Sequence, residues 1–228
     1  MNTLSKAAML AAAILGCFIA SPVSAGAPAL FNTVEYRTDD LDALPKWKAT
    51  LSRIAKEQTY YAESRSKAVR VWQAMIREQR NHRQIDQLTS VNRFINQWRY
   101  RSDSYNYQTS DYWASPAEFF KHSGDCEDYA IAKYVTLRQM GFEAKQLRLV
   151  VVKDVVRDLA HAVLAVYLAG DVYILDNVNN QIRPHSEVAE YAPYYSVNEH
   201  ARWAHAAAPA QAPVPAKIAS ADSLFSKS

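Results

Sequence analysis

The chain has 228 residues, 49% hydrophobic and 21% charged, which fits one folded domain, or a domain with a subdomain, and excludes general disorder. Its 26 Lys and Arg stand against 23 Asp and Glu, a formal charge of +3, so no charge excess argues for a nucleic-acid partner.

Residues 1–25 read as a secretory signal peptide. Met1 to Lys6 supply a charged start, Ala7 to Ala20 a short apolar stretch, and Val23-Ser24-Ala25 a small-residue cleavage site. No later run reaches the roughly 18 apolar residues of a membrane span, so a bacterial protein exported to the periplasm is expected. Cys17 leaves with the leader and Cys126 remains without an internal partner. In an oxidising compartment such a cysteine is buried, pairs between chains, or does chemistry.

Residues 26–44 form an extended N-terminal segment, and the folded domain spans 45–205. From Pro45 to about Gln58, Trp47, Leu51, Ile54 and Ala55 recur at helical spacing. Val69, Trp72 and Ile76 repeat the stripe, as do Ile85, Leu88, Asn92 and Ile95, so residues 45–100 are a helical part packed on something else. The segment from Tyr100 to Trp113 is aromatic and polar and reads as an ordered loop beginning the second part of the domain, 101–205. Ser115-Pro116-Ala117-Glu118 is a capping box with proline at the first helical position. Gly124 breaks that helix, a new one runs from Asp125 to about Met140, and Gly141 stops it.

Beyond Gly141 the periodicity changes. Leu147 to Lys153, His161 to Leu168 and Val172 to Asp176 are runs of branched aliphatics that read as strands. Helices followed by an antiparallel sheet make the fold class α+β. The Ala/Pro-rich tail, 206–228, buries too little apolar surface to offset chain entropy and is expected to be disordered.

Cys126 falls in the first turn of its helix, where unpaired amides and the helix dipole favour a thiolate. Such a nucleophile needs an imidazole base, oriented by a third group. His161 begins an apolar strand, where a ring is costly to bury without partners. If the next turn is centred on Ala169-Gly170, then Leu168 faces Asp171 and Asp176 faces Val163. His161 and Asp176 then become diagonal neighbours on one face, roughly 7 to 8 Å apart. A one-residue slip would send Asp176 to the other face. Asp125, Glu127 and Asp128 crowd the thiol with negative charge, which raises a thiol's pKa. They are helix-capping acids, or else hard oxygen ligands for Ca²⁺.

The blocks Asp111-Tyr112-Trp113-Ala114-Ser115-Pro116-Ala117-Glu118-Phe119-Phe120, Gly124-Asp125-Cys126-Glu127-Asp128-Tyr129-Ala130, Leu159-Ala160-His161-Ala162-Val163 and Leu175-Asp176-Asn177 occur in that order. Together they resemble the bacterial transglutaminase-like cysteine proteases of the periplasmic LapG type, over roughly Pro45 to Trp203. The resemblance implies a papain-like, transglutaminase-like core with a triad of Cys126, His161 and Asp176. It also implies a calcium site at Asp125, Glu127 and Asp128. Members of the family cut the N-terminal region of a large outer-membrane-associated adhesin at a paired-alanine site, releasing it and dispersing biofilm. A membrane-anchored cyclic di-GMP receptor sequesters such proteases. Trp113 is a wall or partner-docking residue on this reading, with core packing as the alternative. An acyl transferase using the same triad and a non-catalytic periplasmic binding module are the competing functions.

Overall fold

The computed structural model describes residues 28–208, so the expected leader and nearly all of the tail lie outside the described residues. Among these, helices α1 (Pro45–Lys56), α2 (Gln58–Glu63), α3 (Lys67–Gln79) and α4 (Gln84–Ile95) precede a helical turn α5 (Asp103–Asn106), α6 (Pro116–His122) and α7 (Cys126–Met140). The strands are β1 (Thr33–Thr38), β2 (Leu147–Asp154), β3 (Leu159–Leu168), β4 (Asp171–Leu175), β5 (Arg183–Pro184), β6 (Tyr191–Val197) and β7 (Arg202–Ala207). They form one antiparallel sheet in the order β1-β7-β6-β2-β3-β4-β5. The fold is α+β, as the order of sequence patterns implies. No helix among the described residues is long and apolar enough to cross a membrane.

The apolar stripes bury as their spacing requires. Trp47 of α1, Val69, Trp72 and Ile76 of α3, and Leu88, Val91 and Ile95 of α4 lie in one core with Leu149, Leu164 and Val166 of the sheet. Helix α7 runs through this core with every residue from Asp128 to Leu137 buried, which is why it lacks a polar face. It ends where the sequence places its stop, at Gly141 in the left-handed region (φ 105°). The other face of the sheet is covered too. Val150, Val152, Val163, Ala165 and Ile174 pack there with Leu30, Val188 and Tyr191. Burial on both faces explains why β2 and β3 read as unbroken aliphatic runs.

Four strands, β1, β5, β6 and β7, extend the sheet beyond the three that the sequence leads one to expect. The extended N-terminal segment supplies β1, which pairs with β7 from Thr33↔Ala207 to Thr38↔Arg202 and so closes the sheet far from its neighbours in sequence. β7 therefore extends to Ala207, just past the expected start of the tail. The anchor is an ion pair: the Glu35 carboxylate accepts from the Leu30 amide at 2.9 Å and from Arg148 at 2.7 Å. Arg148 also lies over the Trp203 ring at 3.8 Å. Both side chains of the pair are under 10% exposed.

Removing one partner leaves the other charge buried and unpaired, at a cost of about 3 to 5 kcal/mol. Glu35→Ala should lose stability of that order in chemical denaturation, whereas Arg37→Ala, an exposed pair with Asp39, should change it by less than about 1 kcal/mol.

Candidate active site

Cys126 occupies the first turn of α7 because the chain before it is clamped. The Asp128 carboxylate, fully buried, accepts from the Ala114 amide through Oδ1 (2.7 Å) and from the Asp125 amide through Oδ2 (3.3 Å). Gly124 passes so close that a Cβ there would meet Asp128 Oδ2 at 2.1 Å, so no other residue fits. The preceding helix, α6, is started by the expected capping box. The Ser115 amide donates to Glu118 Oε2 (2.7 Å) and the Glu118 amide to Ser115 Oγ (3.4 Å).

The β3–β4 register follows the sequence reading, with Leu168 opposite Asp171 and Leu164 opposite Leu175, which carries Asp176 to the level of Val163. His161 and Asp176 meet, Nε2 to Oδ1 at 2.9 Å, and both are buried. The carboxylate also accepts from the Tyr191 hydroxyl (2.5 Å) and the Val178 amide (3.1 Å). Burial by itself raises this carboxyl, but the bonds from His161, Tyr191 and Val178 outweigh it and hold the pKa at about 2. An ionised carboxylate only accepts, so His161 Nε2 carries the proton and Nδ1 is left as the basic nitrogen.

Cys126 is half-buried, and the amide of Ala162, one residue from His161, acts on its sulfur to favour the thiolate. Its hydrogen-bond partner is not the imidazole: Sγ donates to Glu127 Oε2 at 3.2 Å. Burial, then the charges of Glu127 and Asp125, push the thiol well above its ordinary value. The acids beside it are themselves raised. Burial is the largest cause for Asp125, Glu127 and Asp128, followed for the last two by the Asp125 charge.

Three of these groups gather as a metal site would. Ligand atoms of Asp103, Asp125 and Glu127 lie within 4.8 Å of one another. Asp103 Oδ1 and Asp125 Oδ1 are buried with no hydrogen-bond partner among the described residues. Orphaned carboxylate oxygens of this kind fit a hard cation. The sequence reading put Asp128 in this set. In the structure the amides of Ala114 and Asp125 occupy Asp128, and Asp103 takes the third place. Asp103 arrives from α5, with its other oxygen bonded to the Tyr112 amide. No spacing in the sequence links it to Cys126. Tyr191 and Asn96, which donates to the Asp176 carbonyl at 2.8 Å, were likewise outside the sequence reading. Trp113 is 7% exposed and sits edge-to-face on Trp47, with its Nε1 on Asp111, so packing accounts for its position.

Lys133 of α7 is fully buried, with Nζ lacking a hydrogen-bond partner among the described residues. Burial lowers it to about 7, against the opposing pull of Asp176.

The sequence model of the bacterial transglutaminase-like cysteine proteinases (BTLCP) matches residues 54–210. Among solved structures, the chain is similar to calcium-bound Legionella pneumophila LapG, at 32% identity and a TM-score of 0.59 over 66% of this chain and 87% of that one. It is similar to the EGTA-treated form at 32% identity and a TM-score of 0.57, over 66% of this chain and 84% of that one. No curated protein matches the chain significantly.

The buried ammonium yields a pH-dependent prediction. Below pH about 7 the folded chain keeps Lys133 charged without a hydrogen-bond partner, whereas between about 7 and 10.5 the unfolded chain holds a proton that the folded one has released. Wild-type stability therefore gains from this residue as pH rises through that window. Lys133→Met should raise Tm more at pH 6 than at pH 10, as measured by calorimetry of both proteins at the two pH values.

Proposed function

The chain belongs to the bacterial transglutaminase-like cysteine proteinases and is a LapG-type protease, and from that premise we propose that it is a calcium-dependent periplasmic endopeptidase. Its substrate is the N-terminal region of a large outer-membrane-associated adhesin, cut at a paired-alanine site, so that the adhesin is released and biofilm disperses. The observation that carries the chemistry is the buried His161–Asp176 pair beside a cysteine in the first turn of a helix.

His161 Nδ1 takes the thiol proton of Cys126, and the thiolate attacks a backbone carbonyl of an extended peptide. Backbone amides, that of Cys126 among them, hold the oxyanion. Asp176 fixes the proton on Nε2 and supports the imidazolium, which then protonates the leaving amine. Water hydrolyses the thioester and returns the thiol.

Asp103, Asp125 and Glu127 are the residues that would hold Ca²⁺, and the bound ion would supply positive charge to offset the carboxylates that raise the thiol. Glu127 has a double place in this arrangement, because the oxygen that takes the thiol hydrogen belongs to the same side chain. The export pattern of residues 1–25 supports the periplasmic assignment. A membrane-anchored cyclic di-GMP receptor that sequesters the protease is its proposed regulator.

Two measurements test this reading. A recombinant N-terminal adhesin fragment from the same organism should be cut in calcium and spared in a chelator or by Cys126→Ala; cutting by that variant would end the hypothesis. In calorimetric titration, Asp103→Asn should weaken calcium binding at least about tenfold, the loss of one charged oxygen ligand. Asp128→Asn should mainly lower Tm, and equal calcium affinity in Asp103→Asn and wild type would remove Asp103 from the site.

A further inference from the structure

β3 is paired unequally along its two edges. β2 accompanies it from Leu159 to Val166, but β4 only from Leu164 to Leu168, so residues 159–163 have a strand on one side alone. The turn at Ala169 and Gly170, both at positive φ, joins Leu168 and Asp171 as the pair flanking a two-residue hairpin loop. Their main-chain groups therefore face each other, and alternation sends those of Val166, Leu164, Ala162 and Ala160 to the same side. Past Leu164 that side is open. Asn177 would continue the ladder opposite Ala162, but the chain leaves the sheet after Leu175. Asn96 holds the Asp176 carbonyl (2.8 Å) and Asn92 that of Asn179 (2.8 Å), both from α4.

The helix that carries Cys126 packs on β3 here, and the Ala162 amide is near enough to the sulfur to favour its thiolate. Ala160, two residues before Ala162, is exposed, and its main chain has no hydrogen bond on the open side among the described residues. Folded proteins guard free strand edges with charge, proline or brevity. The outer edges of this sheet follow that rule: β5 has two residues and ends in Pro184, and β1 carries Arg37, paired with Asp39 just past the strand's end. Leu159-Ala160-His161-Ala162 carries neither a proline nor a lysine, and Leu159 is 44% exposed. An unguarded edge that ends at the nucleophile is suited to a transient strand.

We propose that the open edge of β3 at Leu159–Ala162 binds the substrate as an added strand, with one peptide residue exchanging N–H and C=O bonds with Ala160 and the adjacent scissile carbonyl brought to Cys126. The inference rests on the endopeptidase reading and says how the peptide is held. Recognition of this kind reads main chain, so the target must be an extended segment free of proline at the paired residue. The methyl side chains of Ala160 and Ala162 leave space beside the incoming strand.

The test is a backbone N-methyl scan of a short peptide centred on a paired-alanine bond, using the unmodified protein with calcium. Methylation of a single residue within two places of the scissile bond should lower kcat/KM by about tenfold or more, while residues further out should tolerate it within about twofold. Ala160→Pro removes the open-side N–H and leaves the β2 ladder, which runs through Leu159 and His161. In that variant the unmethylated peptide should show a raised KM, and the penalty for the sensitive methyl group should shrink. Equal cleavage of all methylated peptides, or an undiminished penalty in Ala160→Pro, would overturn the proposal. An unmethylated peptide that is neither cut nor attached to Cys126 would instead overturn the endopeptidase reading, and this inference with it.

Discussion

The carboxylate of Asp128 holds the site together. It bridges the amides of Ala114 and Asp125 in a fully buried position, with the Gly124 main chain pressed against it. That contact sets where α7 begins, and therefore which residue enters the first turn. It also ties the end of the aromatic loop to the start of the nucleophile's helix. Tyr100 bridges to Gly124, and the Arg101 amide donates to the Gly124 carbonyl at 2.8 Å. Asp103 is thereby carried from a separate stretch of chain to Asp125 and Glu127. One of the three acids around Cys126 in sequence is thus consumed in building the site, and a more distant one completes the acidic set.

Two electrostatic regimes sit side by side. Around Asp176 the donors are complete: an imidazole, a phenol and an amide converge on one carboxylate and keep it ionised despite burial. Around Cys126 they are not. Three carboxyls and a thiol share a partly desolvated volume with buried oxygens left unbonded, and the burial that stabilises the fold disfavours the charged forms the chemistry needs. The first regime is finished by the chain itself. The second would be finished by the proposed cation, which would make calcium a part of the nucleophile's environment.

Much of this was legible in the sequence because it depends on local rules. The Ser115–Glu118 box, the stop at Gly141 and the turn at Ala169-Gly170 are each written in a few adjacent residues, and the turn alone fixed the register that joins His161 to Asp176. What could not be read depends on contacts between distant segments. β1 inverts the usual pattern by burying Glu35, whose partner Arg148 lies on another strand. β6 contains Pro193, which ordinarily argues against a strand, at an irregularity in its pairing with β2 near Val151 and Val152. Asp103 lies among other polar residues of a loop, and only the folded chain distinguishes it from them.

The central claim is that Cys126, not water or metal acting directly, attacks the peptide bond. Rapid-quench mass spectrometry of the intact protein, mixed with the adhesin fragment in calcium, tests it most directly. The account predicts a transient acyl adduct on Cys126 that forms no more slowly than product, and none in chelator. Its hydrolysis in ¹⁸O-water should leave one heavy oxygen in the new C-terminal carboxylate. Product formed at full rate with no adduct on Cys126, or from an adduct on another residue, would contradict the account.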